Sequence, residues 1–483
     1  MMRALFGLLR ACLFAGTAVA DTPADRRADV SFADYRATAE RIIVATRAGN
    51  RAYAKLEELC DDIGHRLSGS DELERAIDWA VQKLKEDGHE NVRKEPVMVP
   101  RWVRGRESLD MIEPRAHPMP LLGLGGSVGT PPDGITAEVI VVADENELDA
   151  AGDAVQGKIV LFNNPMPEYD PEKGSGYGTT VRFRGRGAHL AANKGAVACL
   201  VRSVTARSLQ SPHTGAMRYG DAHKKIPAAA ITTEDASMLA RLTARGKRVV
   251  VRLKMEARDE GQAPSANVIG ELRGRTHPDE IVVIGGHSDA WDVGQGAHDD
   301  GAGCVIAMEA ISVLRRMGLI PRRTIRVVLW TNEENGLAGG RQYANDHASE
   351  LPNHVAAIES DSGAFRPEGF TLEHKDPQRQ QVVLAQMREL VHLLEPIGPM
   401  KASAGGSGAD IGPMKSAGVP LMGLEVEGST YFDYHHSPAD TLDKVDPQHL
   451  TDCVATMAVT AYILADMPAR LGESAEAPTR GSD

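Results

Sequence analysis

Cysteine is scarce in this chain, and the few that occur are not spaced as pairs. There are five Cys in 483 residues, with no CxxC motif among them. Cys60, Cys199, Cys304 and Cys453 are scattered, so any disulfide pairing is unreadable, and the last two lie in apolar helical patterns where a thiol serves as core. Basic clusters with interleaved aromatics are missing as well. With a formal net charge of -13, that excludes a nucleic-acid partner. No apolar run reaches the roughly eighteen uninterrupted residues that a membrane span needs, so none is expected. Internal repeats and low-complexity segments are absent, apart from a polar tail at 471–483.

What is present begins with a leader. "MMRALFGLLRACLFAGTAVADTPADRR" has early Arg, an apolar stretch and the small residues "AVA" before Asp21, the pattern of a secretory signal at 1–20 cleaved after about Ala20. "LRAC", ending at Cys12, faintly resembles a lipoprotein site but is interrupted by Arg10. The chain reads as secreted or periplasmic, an environment that permits disulfides. Its 42% hydrophobic and 25% charged content is that of an ordinary globular protein, and 48 Gly with 27 Pro imply many tight turns.

The rest divides by texture. Residues 32–94 read as two helices followed by a strand, "NVRKEPVMVPRWVRG". Short β runs then follow at close spacing ("AEVIVV", "GKIVLFN", "ACLVRSV", "AAAITT", "KRVVVRLKME"), with a Gly- and Arg-rich loop at 177–186. This β-rich module covers 111–261, inserted between 21–110 and 262–470. From about 262 onward, buried strands alternate with amphipathic helices, which predicts an α/β fold with a mixed, largely parallel sheet covered by helices on both faces. In such sheets functional groups collect beyond the carboxyl ends of the strands.

Four of those strand ends carry chemistry. "IVVIGG" ends in His287 and Asp289, with Asp299 and Asp300 opening the next helix; "TIRVVLWT" ends in Asn332, Glu333 and Glu334. "AAIES" ends in Asp361, and past "PLMGLEV" come Tyr434, His435, His436 and Asp440. Carboxylate oxygen and neutral imidazole nitrogen are the donors that divalent metals take when cysteine is not used. A two-metal site needs about five protein ligands, one of them bridging. His287, Asp299, Glu334, Asp361 and His436 supply that number, and Asp289 and Asp440 are spaced to orient the two imidazoles. An isolated "EE" pair would be a solvated loop; after a buried strand, and beside three such clusters, it is a catalytic candidate. His298 reads as a surface or supporting residue, Trp291 as packing at the pocket rim, and His213 with Arg182–Arg186 as structural or dimer-contact residues.

"GGHSDAWDVGQGAHDDGAG", "WTNEENG", "ESDSG" and "HHSPADT" together resemble the ligand motifs of the co-catalytic zinc exopeptidases, which include bacterial leucyl aminopeptidases and glutamate carboxypeptidases. The likeness is greatest to the plasma glutamate carboxypeptidase branch. It extends through "QSPHTGAMRYG", "KIPAAAITTEDA" and "GGSGADIGPMKSAGVP" and covers most of residues 30–465. The resemblance implies two Zn2+ per chain: His287 and Asp361 on one, Glu334 and His436 on the other, Asp299 bridging both. It implies a cis peptide from Asp299 to Asp300 and Glu333 as general base toward a water held between the ions. Where related enzymes place a Tyr before the last zinc His, this chain has His435, so His435 and Tyr434 are the candidate oxyanion contacts. Ser407 and Asp410 are candidates to bind a substrate terminus. The insert resembles a protease-associated domain that narrows access to the site, and a homodimer is implied. The expected activity is hydrolysis of dipeptides or short peptides with free termini. A broader aminopeptidase, a glutaminyl cyclase-like acyltransferase and a receptor-like scaffold remain the alternatives.

Overall fold

A computed structural model describes residues 32–473; the expected leader at 1–20 and nearly all of the polar tail lie outside them. Two eight-stranded sheets organise the chain. The first contains β1 (Glu90–Val103), β2 (Arg258–Leu272), β3 (His277–His287), β4 (Arg323–Trp330), β5 (His354–Glu359), β6 (Pro367–Glu373), β7 (Lys401–Ala404) and β8 (Leu421–Val426). Their order is β1-β2-β4-β3-β5-β8-β6-β7. The central run β4-β3-β5-β8 is parallel, while β1, β2 and β6 pair antiparallel to their inner neighbours. The sheet is therefore mixed, and parallel where it matters for the site.

Alternation within β3 shows how both faces are covered. Val282 and Ile284 point into one core with the helices Ala302–Arg316 and Pro447–Asp466. Ile281 and Val283 point into a second core with Trp330, Tyr343 and Met414. Every residue of β4 and β5 is buried, as expected of strands enclosed on both sides. The long helices are anchored locally: the Asp446 carboxylate accepts from the backbone N–H of Gln448 (2.7 Å) and His449 (3.1 Å), with Pro447 at the first helical position.

The second sheet spans Glu107–Glu113 to Val250–Met255 and has its own apolar core, including Ile159, Leu200 and Leu253. The chain crosses between the sheets at 104–106 and 256–257, so the expected limits at 111 and 261 fall inside strands. Three further expectations are corrected. The supposed loop at 177–186 is helical, Tyr177–Thr180 and then Arg182–Asn193. Its glycines read as loop signals, but Gly178 and Gly185 sit within the helices with open space around them, and Gly187, just beyond, packs closely: a Cβ there would stand 3.0 Å from the Phe162 ring. The short strands β6 and β7 went unread, and Leu471, placed in the tail, is buried. Cys60, Cys199, Cys304 and Cys453 are all buried and unpaired.

Candidate metal centre

Four parallel strand ends meet on one edge. β3 ends at His287; the turn after β4 presents Glu333 and Glu334; Asp361 follows β5; and the short helix Tyr431–Tyr434 beyond β8 leads into His435 and His436. Asp299 comes back to this edge from the loop before the helix Ala302–Arg316, through a cis peptide to Asp300. The helix can start this close because of two glycines. A Cβ on Gly303 would lie 1.9 Å from the Ser360 carbonyl oxygen, and one on Gly286 would lie 2.2 Å from the Asp300 carboxylate. That carboxylate accepts from the N–H of His287 (2.9 Å) and Gly303 (3.0 Å), tying strand end to helix start.

The five expected ligands converge around Asp299. One of its oxygens lies 3.3 Å from His287 Nε2, which is itself 3.3 Å from Asp361 Oδ1. The other lies 3.2 Å from His436 Nε2, which is 3.0 Å from Glu334 Oε2. One carboxylate thus faces two imidazole–carboxylate pairs. His287 Nε2, Asp299 Oδ2 and Glu334 Oε1 are buried without a hydrogen-bond partner among the described residues. Polar atoms left unsatisfied in this way are costly unless something else fills the space between them. Burial lowers the pKa of His436, but Glu334 and Asp299 outweigh it and push it up to about 10; at His287, Asp361 and Asp299 likewise overcome burial. The cluster attracts positive charge, and its donor set of carboxylate oxygen and imidazole nitrogen fits two divalent cations.

Glu333 stands apart. Its carboxylate lines the cavity and makes no hydrogen bond or ion pair with a described residue. Burial, followed by the nearby Asp361 and Glu334 carboxylates, pushes its pKa well above the ordinary glutamate range. The cavity has a volume of about 500 Å³. Its floor is formed by Asp299, Glu333, Glu334, Asp361, His435 and His436, and its far side by Tyr169, Tyr177 and Arg184 from the second sheet's part of the chain.

The supporting groups differ from expectation in how they act. Asp289 orients His287 through its carbonyl, 3.0 Å from Nδ1. Its carboxylate instead accepts from the N–H of Glu333 (3.0 Å) and Glu334 (3.3 Å) and from Ser68 Oγ (3.0 Å), fixing the turn that presents both acids. Asp440 does not touch His436; it accepts from the N–H of His298 (2.8 Å) and Asp299 (3.1 Å) and so holds the bridging residue. His298 is fully buried, stacked on Phe365 at 4.4 Å, and so is no surface residue. Tyr434 stacks on His298 rather than lining the cavity, and Tyr431 takes the position beside the acids. His435 lines the cavity, stacked on His436 with ring centroids 3.5 Å apart. Ser407 donates to Glu373 (2.8 Å), and Asp410 is buried beside Glu359; neither reaches the cavity, which removes both as contacts to a substrate terminus.

Several contributors carry no readable signal in the sequence. The buried Arg66 guanidinium donates to the carbonyls of Gly64 (2.8 Å), Ser288 (3.0 Å), Gln295 (2.7 Å) and Gly296 (2.9 Å), pinning the glycine loop before Asp299. Thr214, from the second sheet's part, donates its N–H to the His436 carbonyl (2.9 Å) and offers its own carbonyl 3.3 Å from His436 Nδ1. His213 Nδ1 lies 2.7 Å from the His435 carbonyl. His436 itself has φ 60, a left-handed backbone that a histidine adopts only under local constraint.

A profile described as peptidase family M28 matches residues 267–461. Carboxypeptidase Q of Mus musculus is 44% identical over 445 residues, which is 92% of this chain and 92% of that protein. The Homo sapiens carboxypeptidase Q is 43% identical over 433 residues, covering 90% and 89% respectively. Among solved structures, a peptidase M28 precursor from Shewanella amazonensis SB2B has a TM-score of 0.86 at 37% identity, covering 91% of this chain and 99% of that one. A zinc aminopeptidase from Bacillus subtilis, at 19% identity and TM-score 0.63 over 87% of this chain and 96% of its own, shares the fold.

Proposed function

The chain belongs to peptidase family M28 as a zinc metallopeptidase, and from that premise we propose that it is an exported exopeptidase using two zinc ions to hydrolyse dipeptides or short peptides with free termini. The observation that carries this reading is the placement of the two Asp299 oxygens, one facing His287 and Asp361 and the other facing His436 and Glu334. When bound, two zinc ions supply Lewis acidity and bring the pKa of water toward neutrality. His287 and Asp361 would hold one, Glu334 and His436 the other, with Asp299 shared.

The protein's own groups account for the rest. Glu333, unpaired and raised in pKa, takes a proton from the water as its oxygen bonds to the peptide carbonyl carbon. It returns that proton to the amide nitrogen as the C–N bond breaks, leaving a free carboxylate and a free amine. Asp289 keeps Glu333 and Glu334 at fixed positions on their turn, so that one acid binds while its neighbour transfers the proton. His435 and Tyr431 line the wall beside the reacting centre and are the candidate oxyanion donors.

The second sheet, in this reading a protease-associated-like domain covering about 111–261, closes the far side of the cavity and limits entry to short chains. Export rests on the leader at 1–20 and a homodimer on the family resemblance; the described residues contain no helix long and apolar enough to cross a membrane. The test is a panel of free dipeptides with N-blocked and C-blocked controls, run with and without chelator. Hydrolysis of free dipeptides that stops on chelation is expected. A zinc-loaded protein that cuts none of them would overturn the proposal, and equal cleavage of longer peptides with a free amine would replace it with a broader aminopeptidase.

A further inference from the structure

Among the described residues, Arg184 is a buried cation with no carboxylate in ion-pair contact. It sits on the helix Arg182–Asn193, is 7% exposed, and is the only Lys or Arg among the residues lining the cavity. Its partners are the Tyr177 hydroxyl (2.6 Å), the Thr214 carbonyl (3.4 Å) and His436 Nδ1 (3.3 Å), and its Nε has none. The contact with His436 is weaker than its distance suggests. If His436 turns Nε2 toward the Asp299–Glu334 pair, Nδ1 carries the ring proton and points it at the Thr214 carbonyl. Arg184 then has no acceptor on that ring. A guanidinium withdrawn from water and left without a carboxylate is unfavourable, and its planar fork matches a carboxylate in two places at once.

A second uncompensated charge lies on the cavity wall. Glu425 of β8 accepts from Thr371 Oγ1 (2.7 Å) and has no cationic partner among the described residues. Glu425 lies on β8, next to β5, whose end leads to Asp361, whereas Arg184 stands beside His436 and Tyr177. Asp299 and Glu333 line the same cavity as both. A dipeptide zwitterion, at most about 7 Å of extended backbone, carries an ammonium at one end, a carboxylate at the other and one peptide bond between.

We propose that Arg184 binds the α-carboxylate of the residue released as the amine product, and that Glu425 binds the α-ammonium of the residue released as the acid. The inference rests on the dipeptidase reading and says which side chains measure the substrate. A site that leaves a buried charge unpaired when a terminus is blocked discriminates on the order of 100-fold.

The experiment compares kcat/KM of the zinc-loaded protein for a small free dipeptide, its C-terminal amide and its N-acetyl form. The wild type is expected to favour the free dipeptide over both blocked forms by roughly 100-fold. Arg184→Met should collapse the ratio of free dipeptide to amide toward one and leave the preference against N-acetyl intact; Glu425→Gln should do the reverse. Arg184→Lys, which keeps the charge and loses the fork, should give an intermediate ratio. As a measurement that needs no variant, free amino acids should inhibit the wild type more strongly than their amides. An Arg184→Met ratio equal to the wild-type ratio would overturn the assignment, as would loss of zinc with an equal fall on all substrates, which would mark Arg184 as a support for His436. Failure to cut any peptide, or cleavage without regard to the termini by the wild type, sinks the proposed function itself, whereas a wild-type preference for free termini that neither variant alters sinks only this inference.

Discussion

In the proposed mechanism two carboxylates divide the work at the centre of the molecule, and their surroundings support the division. Asp299 is hemmed in by two imidazoles and anchored by Asp440, whereas Glu333 touches no other side-chain donor. Glu333→Gln is therefore expected to lower kcat by on the order of 10²–10⁴-fold with zinc content and thermal stability unchanged. Steady-state assays beside elemental analysis check this, and parental turnover would remove Glu333 as the base. Asp299→Ala should do the opposite to the metal, reducing zinc per chain as read by elemental analysis; a full complement would show that the site does not depend on a shared ligand. Among the candidate ligands, His287, Glu334 and Asp361 were legible because each stands at or just past the end of a buried apolar strand, where a charged side chain needs a reason. Asp299 and His436 follow a loop and a short helix and were read from the motif resemblance. The supporting roles of Asp289 and Asp440 were not legible, because spacing along a chain tells which residues are neighbours but not which atom points where. Asp289 was expected to orient His287 with its carboxylate; the carbonyl makes the close contact, 3.0 Å from Nδ1, with the carboxylate standing 3.7 Å from the same atom.

At the level of elements, the approach of the helix Ala302–Arg316 to the end of β3 depends on Gly303 and Gly286. Gly303→Ala should cost about 1–3 kcal/mol by forcing the helix away from the Ser360 carbonyl, and should weaken zinc binding because Asp299 lies just upstream. Thermal melts and zinc titration test this together; a stable variant with normal affinity would show that the helix start yields freely. The long elements were readable from their periodicity: the spans from 302 and from 447 emerge as helices of 15 and 20 residues. Short elements were harder. Glycine reads as a bend, yet Gly178 and Gly185 are carried inside helices with open space around them. β7 has only four residues, too few for alternation to declare itself.

For the molecule as a whole, buried histidines predict sensitivity to acid. Burial pushes the pKa of His89 down to about 3, and that of His354 down to about 4. His89 bonds Ser312 Oγ (3.0 Å) and His354 bonds the Tyr343 hydroxyl (2.9 Å). Both rings stay neutral in the folded state while the unfolded chain takes up protons below about 6.5. The sign is fixed: stability is full above that pH and is lost as pH falls toward the folded-state values, by on the order of 3–5 kcal/mol per group across the whole window. Metal-free protein melted between pH 7 and 5 should show this fall, and His89→Gln should show a shallower one; identical slopes would remove His89 from the account. The insertion of one sheet between halves of the other was legible from texture, but its grip on the centre was not, because Thr214 acts through its backbone, which no residue type announces. That grip carries a consequence for turnover. With its N–H and carbonyl both spent on His436, and Trp291 wedged against Gly125, the ceiling is pinned to the floor it covers. If the proposed function holds, the length of chain admitted is expected to follow the standing width of the cavity rather than the swing of a lid.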